Sequence, residues 1–383
     1  MGALLYLTVI AAFINMYLTQ AILPTLARDF GVSPSTASLT LSVMILGIAV
    51  SSLVVGPLSD RVGRKPLLIG CALGLSVPSL LCAAAPNLPL LLGGRLLQGL
   101  LIPGLTAVSV AYIAEEFAPE RVKVWLGGYI AATVLGGLLS RVLGSFLTAT
   151  AGWRWAFVAG AALTLLLGTL LLGLRPSARF SASPGLRGAY GGMLSHLRTP
   201  RLVAGFGVGF ALFFAYTAVF TYLPFYLEGP PFGFSQTAIG LIYLVYAAGI
   251  VSSPLSSLVA ARWSQRGVMM AGLMLVLLGN LGTLTARAPL LIVSLVLLCF
   301  GNFAAQGTAT AFVATEAERY RGGSSALYLF AYYLGGGLGA FIPGLLLPRY
   351  GWHGVLVSTT LALLLGLSTA YFCKPVVTVR AAR

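Results

Sequence analysis

Two arginines in this sequence, Arg95 and Arg141, stand inside long apolar runs rather than at their ends. A guanidinium can hold an anion through paired N–H groups, and inside an apolar helix it marks a ligand pathway or a bond to a neighbouring helix. Arg141 follows Leu135-Gly136-Gly137-Leu138-Leu139-Ser140, where the glycines permit close helix packing. It is read as a substrate-site residue, with hydrogen bonding to carbonyls across helices as the plainer alternative. Arg95 opens Arg95-Leu96-Leu97-Gln98-Gly99 and lies roughly 10 Å inside its helix, near enough to an end for snorkelling to the headgroups. Residues that could share a cavity with these cations are Asn15, Tyr17 and Gln20, then Tyr216, Tyr243, Tyr246, Asn302, Gln306, Tyr328, Tyr332 and Tyr333. The tyrosines could equally pack in the core or form interfacial belts.

Carboxylates are scarce and peripheral. All eight, Asp29, Asp60, Glu115, Glu116, Glu120, Glu228, Glu316 and Glu318, fall at the ends of apolar runs or between them. A low-dielectric cavity without a carboxylate binds cations poorly. The expected cavity is therefore neutral to positive, suited to neutral, polar or anionic amphipathic solutes. Glu115, Glu116 and Glu316 are expected to pair with Arg64, Arg121 or Arg321, either as a gate or as solvated pairs worth under about 1 kcal/mol. Glu228 reads as surface. His196 and His353 lie near no nucleophile, and Cys71, Cys82, Cys299 and Cys373 lack disulfide or metal spacing. Neither an enzyme nor a cofactor is expected, and the absence of an ATP-binding loop argues against primary pumping. The run Gly335-Gly336-Gly337-Leu338-Gly339 follows no strand, so it reads as a packing face rather than a phosphate loop.

The elements that carry these residues are membrane spans. Of 383 residues, 58% are hydrophobic and 8% charged, which in water would leave large apolar patches exposed. A span needs roughly 20 apolar residues. Such segments fall at 3–23, 36–57, 66–85, 89–114, 122–149, 154–174, 202–227, 236–259, 267–286, 289–313, 322–347 and 352–373. Runs such as Leu163 to Leu174 are apolar on every face, so helices are expected rather than barrel strands. The net charge of +15 could suggest nucleic acid, but its distribution is that of a membrane protein. Seventeen of the 23 basic residues fall on one side if the N-terminus is cytoplasmic, which places both termini there. Met1 runs straight into the first span, which reads as a retained helix rather than a cleaved leader.

The twelve spans are two copies of six. Ile22-Leu23-Pro24 recurs as Tyr222-Leu223-Pro224, Gly31-Val32-Ser33 as Gly233-Phe234-Ser235, and Gly152-Trp153-Arg154 as Gly351-Trp352-His353, each about 200 residues on. The expected domains are a bundle over 1–174, a cytoplasmic loop over 175–201 and a second bundle over 202–383. A pathway between such bundles, with its site near the midplane, suits a secondary transporter.

Between the second and third spans runs Gly56-Pro57-Leu58-Ser59-Asp60-Arg61-Val62-Gly63-Arg64-Lys65-Pro66. This resembles the signature loop of the major facilitator superfamily, and the resemblance covers the whole chain. It implies an all-α membrane protein with twelve transmembrane helices as two pseudo-symmetric bundles in a bacterial-type inner membrane. It also implies a monomer taking a small-molecule substrate. By its chemistry, Gly56 would let a neighbouring helix approach, and Asp60 would accept bonds from the N-terminus of the helix opening at Gly322-Gly323-Ser324, latching the bundles. Arg61, Gly63, Arg64 and Lys65 complete the loop, which could instead merely set topology. Arg95-x-x-Gln98-Gly99 resembles a motif of the drug:proton antiporter branch, which implies that Arg95 aids proton coupling. The fifth span of that branch typically carries a Gly-Pro motif, whereas here Arg141 stands and the proline is missing. Proton-coupled efflux is the leading expectation. The alternatives are a uniporter or importer of an organic anion or sugar, or a non-transporting membrane sensor.

Overall fold

The computed structural model describes residues 2–175, 186–317 and 321–373, which contain helices and no strand. In order these are α1 (Gly2–Tyr17), α2 (Leu23–Phe30), α3 (Pro34–Val62), α4 (Arg64–Ala83), α5 (Leu88–Glu116), α6 (Pro119–Ala151) and α7 (Trp153–Leu171). There follow α8 (Leu186–Ser195), α9 (Pro200–Glu228), α10 (Gln236–Ile242), α11 (Ala248–Arg262), α12 (Gln265–Gly282), α13 (Ala288–Glu316) and α14 (Arg321–Phe372). Among the described residues, ten helices are long and apolar enough to cross a membrane, with α1 and α2 counted as one and residues 322–372 as one. Large apolar side chains such as Val77, Leu165, Leu258 and Leu361 are exposed on the outside, where lipid is their solvent.

Three departures from straight spans matter for the site. The first span breaks between α1 and α2 into a 3-10 turn over Gln20–Ile22. Pro24, which has no N–H to return to the Gln20 carbonyl, opens α2 just after the break. The eighth segment is split by a second 3-10 turn, Tyr243–Ala247, between α10 and α11. The long α14 leaves helical geometry at Gly351 (φ 54°, ψ −143°), between the eleventh and twelfth predicted segments.

The duplication is visible in local structure. Ser33 caps α3 by accepting from the Thr36 N–H at 3.2 Å, and Ser235 caps α10 from the Ala238 N–H at 3.3 Å. Helix α1 packs on α5, α6 and α7, while α9 packs on α13 and α14. The two copies meet where α3 lies against α14 and α6 against α10. A Cβ at Gly136 would stand 2.7 Å from the Ile10 carbonyl oxygen, so glycine is what lets α6 lie this close to α1.

The segment read as a loop over 175–201 contains a helix, α8, followed by a 3-10 turn at His196–Arg198. The Met193 backbone lies against Gly323 of α14, which draws this linker onto the second copy. The short apolar stretch there was too brief to read as a span. Glu318, Arg319, the Arg321 side chain and the tail from Lys374 lie outside the described residues.

Candidate substrate site

Arg141 is fully buried on α6. Its Nε donates to the Gln20 Oε1 at 2.8 Å, Nη2 donates to the same oxygen, and Nη1 donates to the Gly137 carbonyl one turn back. The guanidinium is sandwiched by rings, its carbon 4.0 Å from the Tyr17 centroid, 4.3 Å from Tyr246 and 5.3 Å from Tyr243. The 3-10 turn explains the last two. Residues three apart eclipse one another in that geometry, so Tyr243 and Tyr246 point the same way. Tyr216 on α9 packs on Tyr246 at 5.2 Å, and Tyr332 lies within electrostatic reach of Tyr17 and Tyr246. Tyr332 itself stacks on Phe213 at 4.1 Å, between Tyr328 and Tyr333. No carboxylate among the described residues forms an ion pair with Arg141. Neutral oxygens and π faces are its counterweight, which leaves a positive, aromatic-lined centre able to receive an anion.

Arg95 does not snorkel. It is fully buried and bound to backbone, with Nε to the Thr40 carbonyl at 2.8 Å, Nη1 to the Asn15 carbonyl at 2.7 Å and Nη2 to the Met16 carbonyl at 2.8 Å. The break after α1 strips these last carbonyls of their intrahelical donors, and the arginine caps them. Nη1 also reaches Gln98 Oε1 at 2.7 Å, and Gln98 Nε2 donates to Ser79 at 2.7 Å. Asn15 was expected in the cavity, but its side chain is consumed here. It donates to the Ala11 carbonyl at 3.0 Å and accepts from Ser79 at 3.0 Å. Arg95 and Arg141 therefore grip the same break from two sides, one through its carbonyls and one through Gln20.

Around the Arg141 centre, one end of the molecule is closed. Gln20 Nε2 donates to Thr221 of α9 at 3.3 Å, and Gln236 Nε2 donates to the Ala21 carbonyl at 2.9 Å and to Ser145 at 3.1 Å. Ser42 donates to the Gly337 carbonyl at 2.6 Å, and Tyr222 donates to Ser38 at 2.9 Å. Outermost, Arg28 Nη1 pairs with Glu228 at 2.5 Å. Glu228 lies at the surface, as read from the sequence, and also bridges the two copies. Arg28 and Glu228 stand 200 residues apart, the offset of the repeat, so equivalent positions of the two copies face each other here. The signal was present in the repeat offset. Side chains here are 58% and 40% exposed, so the pair is worth under roughly 1 kcal/mol. Arg28→Glu is expected to lower the population of this closed end a few-fold, and adding Glu228→Arg to restore it, as read by spin-label distances across that end.

The opposite end, around Asp60, is arranged differently. Arg64 gathers Asp60 at 2.6 Å and Glu115 at 2.6 Å, and also donates to Ser59. Gly63 turns the chain between α3 and α4 with φ 96°, a conformation that favours glycine. Arg61 is exposed and Lys65 and Glu116 half-buried beside this cluster. The expected close approach at Gly56 is not found. A Cβ on Gly56 or on Gly322 would meet nothing within 4 Å, and Asp60, 42% exposed on its side chain, is held by Arg64 of its own loop. The copies are drawn together at the other end instead. Glu316 pairs with Arg201 at 2.9 Å.

Asn302 is buried on α13, while Gln306 one turn on is half-buried and Tyr328 sits against Gly209.

The description Major Facilitator Superfamily belongs to the family model that matches residues 5–247 and 228–382. The chain is 32% identical over 360 residues to the inner membrane transport protein YnfM of Escherichia coli (strain K12), covering 94% of this chain and 86% of that protein. It is 31% identical over 357 residues to the uncharacterized MFS-type transporter YybF of Bacillus subtilis (strain 168), covering 93% and 88%. In fold it is similar to a bacterial homolog of the human lysosomal transporter Spinster, with a TM-score of 0.76 at 17% identity over 97% of this chain and 94% of that one. The chain belongs to the Major Facilitator Superfamily and is a multi-pass membrane transporter, not an enzyme.

Proposed function

We propose that this transporter exports a small organic solute, anionic or neutral and polar, in exchange for protons, by rocking two six-helix bundles, residues 1–174 and 202–383, about the Arg141 centre. The observation that carries this reading is Arg141 itself, fully buried and without a carboxylate partner among the described residues. A site so charged attracts anions and repels cations. With the basic loops on the cytoplasmic side of an inner membrane, the Asp60 end faces inward and the Arg28–Glu228 end outward. The conformation described is then the one closed to the outside, and the monomer suffices for the cycle. In the opposite conformation the Asp60 end closes, where Asp60 meets the start of α14.

Proton coupling rests on the Arg95-x-x-Gln98-Gly99 resemblance and on the carboxylates at the two ends, Glu228 on Arg28 and Glu115 on Arg64. Each is gripped by an arginine, so protonation would loosen that end. One observation favours a second reading, uncoupled movement of organic anions: among the described residues no carboxylate pairs with either central arginine. Proteoliposomes separate the two. Uphill movement of aryl carboxylates under an imposed pH gradient, abolished by a protonophore, is expected; equilibration indifferent to the gradient would leave the uniporter.

A further inference from the structure

Asn302 is 1% exposed, and neither its amide nitrogen nor its amide oxygen has a hydrogen-bond partner among the described residues. A buried carboxamide with both ends unpaired is costly, and its presence is accounted for when a ligand completes it. The neighbours on α13 fix where it stands. Gly301 and Ala305 pack into α12 at Gly272. Cys299, within electrostatic reach of Arg141, and Phe303, whose ring lies 5.8 Å from that of Tyr216, define the side turned to the centre. Asn302 is three residues from Cys299, one turn along the flank of that side, and half-buried Gln306 follows a turn later.

We infer that Asn302 is a second anchor for the substrate, binding a neutral group that both donates and accepts hydrogen bonds while Arg141 holds the anionic end. The assignment rests on the anion reading above and narrows it to a class, carboxylates that also bear a carboxamide. An amide matches Asn302 in a reciprocal pair, N–H to Oδ1 and C=O from Nδ2, which a hydrocarbon of the same shape cannot do.

Two isosteric probes test this with the purified full-length protein in detergent. N-Benzoylglycine and 4-phenylbutanoate share a ring, a carboxylate and a chain length, and differ in an amide replaced by methylenes. The wild type is expected to bind N-benzoylglycine at least about tenfold more tightly by calorimetry. Asn302→Leu is expected to bring the ratio to about one while leaving 4-phenylbutanoate affinity and the thermal midpoint at or above wild type. Asn302→Ala carries the same ratio test if the leucine does not fit. A wild type that binds the probes equally, or an Asn302→Leu protein that keeps the preference or loses both probes, overturns the assignment of Asn302 alone. A wild type that binds neither probe at millimolar concentration overturns the anion reading and this one with it.

Discussion

Replacing Arg141 by glutamine is expected to weaken the binding of 4-phenylbutanoate by about a hundredfold or more. Arg141 is fully buried, and among the described residues its guanidinium is bonded to neutral oxygens and lies over tyrosine rings. An anion arriving there gains charge-assisted hydrogen bonds in a low-dielectric setting. Removing one partner of a buried pair typically costs about 3–5 kcal/mol, and each 1.4 kcal/mol is a factor of about ten in affinity. Glutamine can still donate to the Gln20 oxygen, so the contact between α6 and the broken first span survives. The thermal midpoint should therefore hold, because a buried cation without a carboxylate is itself a burden on the fold. Calorimetry on the purified variant checks the first point and a melting curve the second. Unaltered affinity would remove Arg141 from the site.

The second large effect is expected from Gln20→Glu, which adds a charge without changing shape. Gln20 Oε1 already lies 2.8 Å from Arg141 Nε, so a glutamate there gives the arginine an internal counter-ion in place. Anion affinity should fall by at least about tenfold, because an incoming carboxylate must now displace another. The closed form should melt higher than wild type. The substituted residue also loses the amide that donates to Thr221 at 3.3 Å, which is a weaker contact than the one it strengthens. If the affinity of Gln20→Glu for 4-phenylbutanoate equals that of wild type, the ligand does not meet Arg141 on the Gln20 side.

Much of this arrangement was legible in the residues. The apolar runs gave the helices, the repeat gave two related halves, and Arg141, lacking any acid within its run, already stood out as a cation for a ligand. Tyr17, Gln20, Tyr243 and Tyr246, candidates for a cavity by residue type alone, gather around it. What could not be read is which conformation the chain adopts. Gly56 and Asp60 carry chemistry for a contact between bundles, but here Asp60 is held by Arg64 of its own loop and the copies are joined at the other end, a choice the residue types do not encode. Asn15 lies beside Arg95: the break after Tyr17 turns the span's last carbonyls toward that arginine, and the Asn15 side chain joins the network through Ser79. The Arg28–Glu228 pair escaped because each residue alone looks like solvated surface, and only their equivalence in the repeat brings them face to face. The 3-10 turn at Tyr243–Ala247 has no proline to announce it, so the alignment of its two tyrosines had no sequence signal.

The most direct measurement compares opposite charges on similar phenylalkyl chains. Titrating the purified wild type with 4-phenylbutanoate and with 4-phenylbutyltrimethylammonium, a permanent cation of similar length, reads the sign of the central site. Binding of the carboxylate and none of the cation is expected from a buried Arg141 that has no carboxylate partner among the described residues. Tighter binding of the cation would contradict an anion-selective pathway through this centre.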